Sequence, residues 1–273
     1  MYRHNKNNAF TLLELIFVIL ILGVVASIGS RVIAKVYEQY IIQRAQYKAS
    51  FKTELAALQI ANRLRYAIPR TLYRIKDDNS MEAFSNTPSA SGSYIGLEWI
   101  GADGDSFEAG KTPGWSGFCD LNASSRNTVV TPGSDLALTQ NTINNLGGNL
   151  NRSVLIFANE TNQTAVNVIR SFDAAGNKII LVDNTPSRRL SEHYKLAWSS
   201  YALAVENGDL YLYYNFSPIL AANRANGSRS LLLKHVTVFK FTGTENTIRF
   251  KICKSERIGD DANITACKEK AVF

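Results

Sequence analysis

Hydrophobic positions form one long uninterrupted run near the start of the chain. The segment Phe10–Ser30 is almost entirely apolar, and Glu14 is its only charged residue. At about 1.5 Å of rise per residue, a helix of these 21 residues matches the roughly 30 Å hydrocarbon core of a bilayer. The pattern therefore predicts one membrane-spanning helix.

The helical pattern continues beyond the apolar run. After Arg31 the chain contains no Gly or Pro until Pro69, which is expected to end the helix or nearly so. Four apolar residues recur at spacings of four, four and three: Tyr47, Phe51, Leu55 and Leu58. This spacing predicts an amphipathic helix with one apolar face.

The rest of the chain changes from an irregular to an alternating pattern. Residues 69–152 are rich in Gly, Ser, Asn and acids, which predicts a variable connection. Residues 153–273 contain strand-like runs, and Asn207-Gly208 is a strong hairpin signal between two of them. In the run "TIRFKICK", Ile248, Phe250 and Ile252 are expected to face a core. An antiparallel β-sheet region follows.

Composition and charge indicate one anchored domain. The chain has 273 residues, 45% of them hydrophobic, and a net charge of +7 without a dense basic cluster. Solubility is the simplest explanation of that charge, and polyanion binding is the alternative. Arg3 and Lys6 precede the span, so the positive-inside rule sends everything after Arg31 across the membrane.

The three cysteines suit an oxidising compartment with one disulfide and one free thiol. Three pairings of Cys119, Cys253 and Cys267 are formally possible. We favour Cys253 with Cys267, because both sit near the C-terminus. In the chain-entropy model, a disulfide that closes so short a loop stabilises the folded state by roughly 3 kcal/mol.

Catalytic or cofactor chemistry finds no support in the sequence. His4, His193 and His235 join no nucleophile, metal or phosphate motif, so we predict no enzyme activity, no catalytic residue and no cofactor. The acids of "DGDSFE" could offer oxygens to Ca²⁺, but they lack the EF-hand spacing, and a solvated turn is the simpler interpretation. The tyrosines between 194 and 214 indicate strand packing, with a binding face as the alternative.

The residues "NNAFTLLELIFVILILGVVASI" resemble the N-terminal cleavage and methylation motif of type IV prepilins and type II secretion pseudopilins. The resemblance implies that residues 1–9 are a leader, that prepilin peptidase cuts between Ala9 and Phe10, and that the new Phe10 amine is methylated. Ala9 departs from the Gly that the family prefers. The resemblance also implies an α+β fold, in which a long spine helix spans the membrane over 10–34, continues over 35–68 and packs on the antiparallel sheet.

Glu14 is the residue whose chemistry this resemblance explains best. A carboxylate at membrane depth costs a few kcal/mol on insertion scales, so it is expected to be functional. Our hypothesis is that Glu14 pairs with the Phe10 amine of a neighbouring subunit, because pairing offsets the burial cost only in the correct stagger. Glu14 would then set the register of assembly.

Seven Asn-x-Ser/Thr sequons occur, at Asn122, Asn151, Asn159, Asn162, Asn215, Asn226 and Asn263. Three of them also carry an acid two residues earlier, namely Asn122, Asn162 and Asn263. That longer form resembles the acceptor sequence of bacterial N-oligosaccharyltransferases. Glycosylation at these three is one interpretation, and an Asn- and Thr-rich surface is the other.

The C-terminal order of strand-like runs also resembles PilW-like minor pilins and pseudopilin J of type II secretion. We therefore expect a minor pilin or pseudopilin that starts a filament or sits near its tip. It would be anchored in the bacterial inner membrane with a periplasmic domain. Its partners would be other pilin-like subunits and the membrane platform protein. The alternative is an extracellular module that binds DNA or a surface and uses the pilin stalk only as a carrier.

Overall fold

The computed structural model describes residues 11–87, 93–158, 167–173, 177–183, 188–219, 223–244, 247–259 and 262–272. Its helices are α1 (Leu12–Leu64), α2 (Gly104–Phe107) and α3 (Leu136–Asn145), with 3₁₀ turns at Leu150–Arg152 and Arg224–Asn226. Its strands are β1 (Tyr73–Lys76), β2 (Met81–Ala83), β3 (Tyr94–Gly101), β4 (Thr128–Val130), β5 (Val154–Phe157), β6 (Asn167–Asp173), β7 (Lys178–Leu181), β8 (Tyr194–Ala197), β9 (Ser199–Glu206), β10 (Asp209–Phe216), β11 (Ser228–Leu233), β12 (Val236–Thr244), β13 (Thr247–Ile258) and β14 (Ala262–Val272).

These elements confirm the predicted α+β class, with a long N-terminal helix packed on antiparallel sheets. α1 runs unbroken for 53 residues and ends at Leu64, four residues before the end at residue 68 that the sequence led us to expect. No residue from Leu12 to Lys48 is buried, and at about 1.5 Å per residue this stretch projects roughly 55 Å from the domain. Only the last part of α1 contributes to the core.

α1 meets the sheets through small side chains. Its buried residues are Ala49, Thr53, Ala56, Ala57, Ile60 and Leu64. The alanines let the helix axis approach closely, while the sheets supply bulky partners such as Trp99, Leu203 and Phe250 in the same cluster. Since interiors are packed to near-crystal density, the small helix face and the large sheet residues must fit each other.

The first sheet has six strands in the order β11-β10-β9-β3-β1-β2. The β9–β10 hairpin turns at Asn207 and Gly208, whose φ angles of 52° and 80° suit a type I′ turn, as the sequence signal predicted. Strand β3 lies at the centre, although it comes from the segment expected to be a variable connection. That segment also supplies β1, β2, β4, α2 and α3.

The chain between β3 and β9 forms a lobe of its own. It contains the five-stranded sheet β4-β7-β6-β5-β8 together with α2 and α3. Its core includes Trp115, Leu136, Phe157 and Leu196, separate from the cluster under α1. Cys119 is a free, buried thiol in this lobe. The domain thus consists of a helix-and-sheet unit with a folded insertion.

The third sheet, β12-β13-β14, carries the disulfide. Cys253 and Cys267 stand directly opposite each other on β13 and β14 and are bonded. Ile248, Phe250 and Ile252 are buried, at most 5% exposed, which confirms the predicted alternation. The apolar stretch "LLLKHVTVFKF", residues 231–241, resembles one strand in sequence but is divided between two sheets, because His235 at φ 56° turns the chain between β11 and β12.

Ion pairs join α1 to the third sheet. The Glu256 carboxylate on β13 binds the buried Lys254 ammonium and lies 2.9 Å from Lys48 Nζ on α1. Lys254 first, and Lys48 second, lower the pKa of Glu256 to about 2. Glu54 on α1 lies 2.6 Å from Lys270 Nζ on β14. These pairs fix the register of the helix on the strands.

Candidate functional site

The N-terminal end of α1 is organised by a hydroxyl and an acid three residues apart. Thr11 is the N-cap, and its side chain accepts a hydrogen bond of 3.3 Å from the Glu14 backbone N–H. Thr-x-x-Glu is the capping-box pattern, in which an acid at the third helical position also suits the positive end of the helix dipole. Sequence reasoning missed this local role of Glu14, although the spacing alone would have shown it.

The predicted cleavage residues Ala9 and Phe10 lie outside the described residues. Glu14 lies in the first turn of α1 with its side chain exposed. Among the described residues, none donates a hydrogen bond to the Glu14 carboxylate or forms an ion pair with it, and the first buried residue of α1, Ala49, comes more than 30 residues later. The geometry leaves the Glu14 carboxylate available to another molecule.

The first part of α1 is long and apolar enough to cross a membrane. Its most apolar 18-residue window has a mean hydropathy of 2.7, and none of that window is buried against the domain. Side chains such as Leu12, Phe17 and Ile19 are between 58% and 79% exposed. Such a surface is stable only in lipid or against other apolar helices.

An apolar stripe continues along the second part of α1, and its position corrects the sequence-based expectation. We define the stripe as Tyr40, Tyr47, Phe51, Leu55 and Leu58, which are 44% to 71% exposed. A predicted amphipathic helix packed on a sheet implies that its apolar face, which includes Tyr47 and Phe51, is the face that docks. At about 100° per residue, however, the stripe lies on nearly the opposite side of α1 from Ala56 and Ala57.

The reason for this reversal is the size of the docking residues. Alanine and threonine give a weak apolar signal in sequence, yet Ala57 and Thr53 are fully buried. The large stripe residues give a strong signal but face away from the domain, where the Tyr47 and Phe51 rings stack with centroids 6.0 Å apart. Arg44 lies between Tyr40 and Tyr47 and is also exposed.

The Asn122 sequon lies in an ordered turn. Asp120 Oδ1 accepts hydrogen bonds from Asn122 N at 3.0 Å and Ala123 N at 3.2 Å, and Ser124 Oγ accepts one of 2.8 Å from Val130 N. The flanking acid and hydroxyl of this sequon therefore hold the turn together.

The other two acid-containing sequons differ from it. Asn263 and Thr265 are both exposed on one face of β14, so this sequon presents its acceptor amide and hydroxyl to solvent. Asn162 lies outside the described residues. Glycosylation of Asn122, Asn162 and Asn263 stays a prediction.

The acidic segment "DGDSFE", Asp103–Glu108, contains the N-terminal cap of α2. Asp103 caps α2: its carboxylate accepts hydrogen bonds from the Ser106 backbone N–H at 3.1 Å and from the Ser106 hydroxyl. Burial raises the pKa of Asp103. Across the part of the chain that the structure describes, no three acidic, histidine or cysteine side chains lie together as a metal site. His193 instead packs edge-on against Phe118.

Comparison with known proteins supports the N-terminal assignment. Residues 4–30 match the family model of the prokaryotic N-terminal methylation motif. No curated protein and no solved structure matches the chain significantly. The motif is that of structural proteins processed by prepilin peptidase and assembled with other pilins. With the apolar helix behind it, the match supports a type IV prepilin-like protein.

Proposed function

We propose that the chain is a minor pilin or pseudopilin, a subunit that starts a type IV pilus-like filament or sits near its tip. The observation that carries this proposal is the form of α1. The helix follows a methylation motif, projects from Leu12 to Lys48 without burying a residue, and then docks a folded domain through Ala49–Leu64. Such a helix is incomplete in isolation, because its apolar surface has no partner within the domain.

Before assembly, we propose that α1 anchors the chain in the bacterial inner membrane with the domain in the periplasm. The peptidase would remove residues 1–9, and the membrane platform protein would move the subunit into the filament. Glu14 supports a place below the terminal subunit, since it can pair with a neighbour's Phe10 amine. The insertion between β3 and β9 enlarges the domain, as expected for one of the larger minor pilins.

Neighbouring pilin-type helices would cover the apolar stripe. The stripe continues the exposed apolar surface of the membrane half along the same helix, so one helix packing beside α1 can bury both. Residues at spacings of three and four interlock along such a seam. The seam would extend helix contacts from the bilayer to the base of the domain.

Changing Phe51 to glutamate tests this proposal. Phe51 is 57% exposed, so the free energy of unfolding should change by no more than about 0.5 kcal/mol. Filament incorporation should fall at least tenfold, because the new carboxylate would be buried without a partner in the helix seam. The amount of the chain in sheared filaments, relative to the membrane fraction, measures the effect.

The matched control is Gln59→Glu, which adds the same charge at an exposed position of α1 to one side of the stripe. Gln59→Glu should enter filaments at close to the normal level. Equal incorporation of Phe51→Glu and the unchanged chain would contradict the proposed seam.

A further inference from the structure

The outer face of the six-stranded sheet, opposite α1, contains a row of side chains that borders a cavity. The row runs in register across the strands through Tyr73, Glu98, Ala202, Tyr213 and Arg229. Ala202, at the middle of the row, is fully buried and contributes only a methyl group. Glu98 on β3 and Tyr213 on β10, its neighbours in the row, both line one cavity on this face.

Residues 223–225, at the described end of the connection that leads into β11, form one wall of this cavity. Arg224 in that connection donates a 2.6 Å hydrogen bond to Asn79 Oδ1 in the β1–β2 turn, and its guanidinium lies 5.6 Å from the centre of the Tyr213 ring. Arg224 lines this cavity of about 570 Å³, together with Met81, Glu98, Glu206, Asn223 and Ala225. This volume falls in the range of small-ligand pockets, roughly 300–1,000 Å³.

The two carboxylates in the cavity differ in their hydrogen bonding. Glu206 accepts hydrogen bonds from the Tyr213 hydroxyl at 2.6 Å and from Arg229 Nη1 at 3.3 Å. Glu98, among the residues that the structure describes, accepts no hydrogen bond and forms no ion pair. Burial raises the pKa of Glu98 to about 7, although the charge of Arg224 acts to lower it.

The surroundings of Glu98 do not supply the missing partner. Tyr73, directly opposite on β1, has its own pKa raised by burial and by the Glu98 charge. Arg224 is bonded to Asn79, and Arg229 to Glu206. Glu98 is only partly buried and lines the open cavity, so a cation that enters the cavity can pair with its ionised carboxylate.

We propose that this cavity binds an alkylammonium or guanidinium group, whose charge pairs with Glu98. The N–H donors of the ligand meet the Glu98 carboxylate and the side-chain oxygen of Asn223, while its methylene stem lies along Met81 and Ala225. A lysine or arginine side chain of another protein and a free aliphatic amine share this chemistry. The site is separate from α1 and does not depend on filament assembly.

Calorimetric titration of the full-length chain in detergent micelles tests the site. The probe is Nα-acetyl-lysine amide, whose side-chain ammonium is free. Binding should be roughly tenfold tighter at pH 8 than at pH 6, because about nine-tenths of Glu98 is ionised at the higher pH and about one-tenth at the lower. Glu98→Gln should weaken binding at pH 8 at least tenfold. Glu108→Gln, a carboxylate on another part of the surface, should leave it unchanged.

Two further probes complete the experiment. N-acetyl-norleucine amide has an apolar side chain without the charge and should not bind. Putrescine reports the source of the ligand: lysine amide binding assigns the site to a protein side chain, and putrescine binding alone assigns it to a free amine. Equal affinities for Glu98→Gln and the unchanged chain, equal binding of the norleucine probe, or no saturable binding of either cation would overturn the proposal.

Discussion

Replacing Glu14 by glutamine is expected to leave the chain in the membrane and to remove it from filaments. Glutamine has nearly the same shape and can still serve as the third residue of a capping box with Thr11, so α1 should begin normally. The charge that pairs with a neighbour's Phe10 amine is lost, and that amine would be buried without a partner. Comparing the membrane fraction with sheared filaments measures the result, and we expect incorporation to fall more than tenfold.

Thr11→Ala is the control that separates charge from capping. It removes the acceptor of the 3.3 Å bond from Glu14 N, at a cost of about 1 kcal/mol in helix stability, but keeps the carboxylate. Thr11→Ala should still enter filaments. Normal incorporation of Glu14→Gln, or equal loss in both variants, would show that the Glu14 charge does not set the register of assembly.

Replacing Ala57 by phenylalanine is expected to destabilise the domain by about 3 kcal/mol. Ala57 is fully buried where α1 meets the sheets, and a larger ring would push the helix away from Trp99 and Leu203. For a domain of this size, the loss corresponds to a fall in Tm of roughly 6–12 °C. Thermal unfolding of the full-length chain in micelles, followed by circular dichroism, measures it.

Leu55→Ala is the matched control for Ala57→Phe. Leu55 is 47% exposed on the apolar stripe, so its truncation should change the free energy of unfolding by about 0.5 kcal/mol or less. A larger loss of stability for Leu55→Ala than for Ala57→Phe would mean that the stripe, and not the alanine face, docks on the sheets.

The parts of the fold that could be predicted from sequence are those with strong local signals. The alternation of Ile248, Phe250 and Ile252 follows from a strand with one buried face, and Asn207-Gly208 marks a turn that needs positive φ at both positions. The continuation of α1 beyond Arg31 followed from the absence of Gly and Pro up to Pro69. Each of these signals acts within a few residues of its own position.

The docking face of α1 and the first strands could not be predicted without the tertiary structure. An apolar stripe looks the same in sequence whether it meets a sheet or another subunit, and only the packed structure distinguishes them. Arg74 on β1 suggests a solvent-exposed segment, yet it is 4% exposed. It is buried because its guanidinium donates to the carbonyl oxygens of Ala83, Phe84 and Asn86.

The N-terminal site and the cavity at Glu98 also differ in whether the sequence could reveal them. The proposed processing and assembly residues Ala9, Phe10 and Glu14 lie within six consecutive positions, so sequence alone could single them out as candidates. The cavity at Glu98 combines β2, β3, β9, β10 and the connection after β10, which are far apart in the chain. Its key feature, a carboxylate without a partner, exists only once the sheet has formed.

The central claim is that the chain is cut and methylated like a prepilin and then held in register by Glu14. Mass spectrometry of the N-terminal peptide, from the protein purified out of its native membrane, tests the first half of this claim most directly. We predict a peptide that begins at Phe10 and carries one methyl group on its amine. A peptide that begins at Met1, or at any residue other than Phe10, would contradict the account.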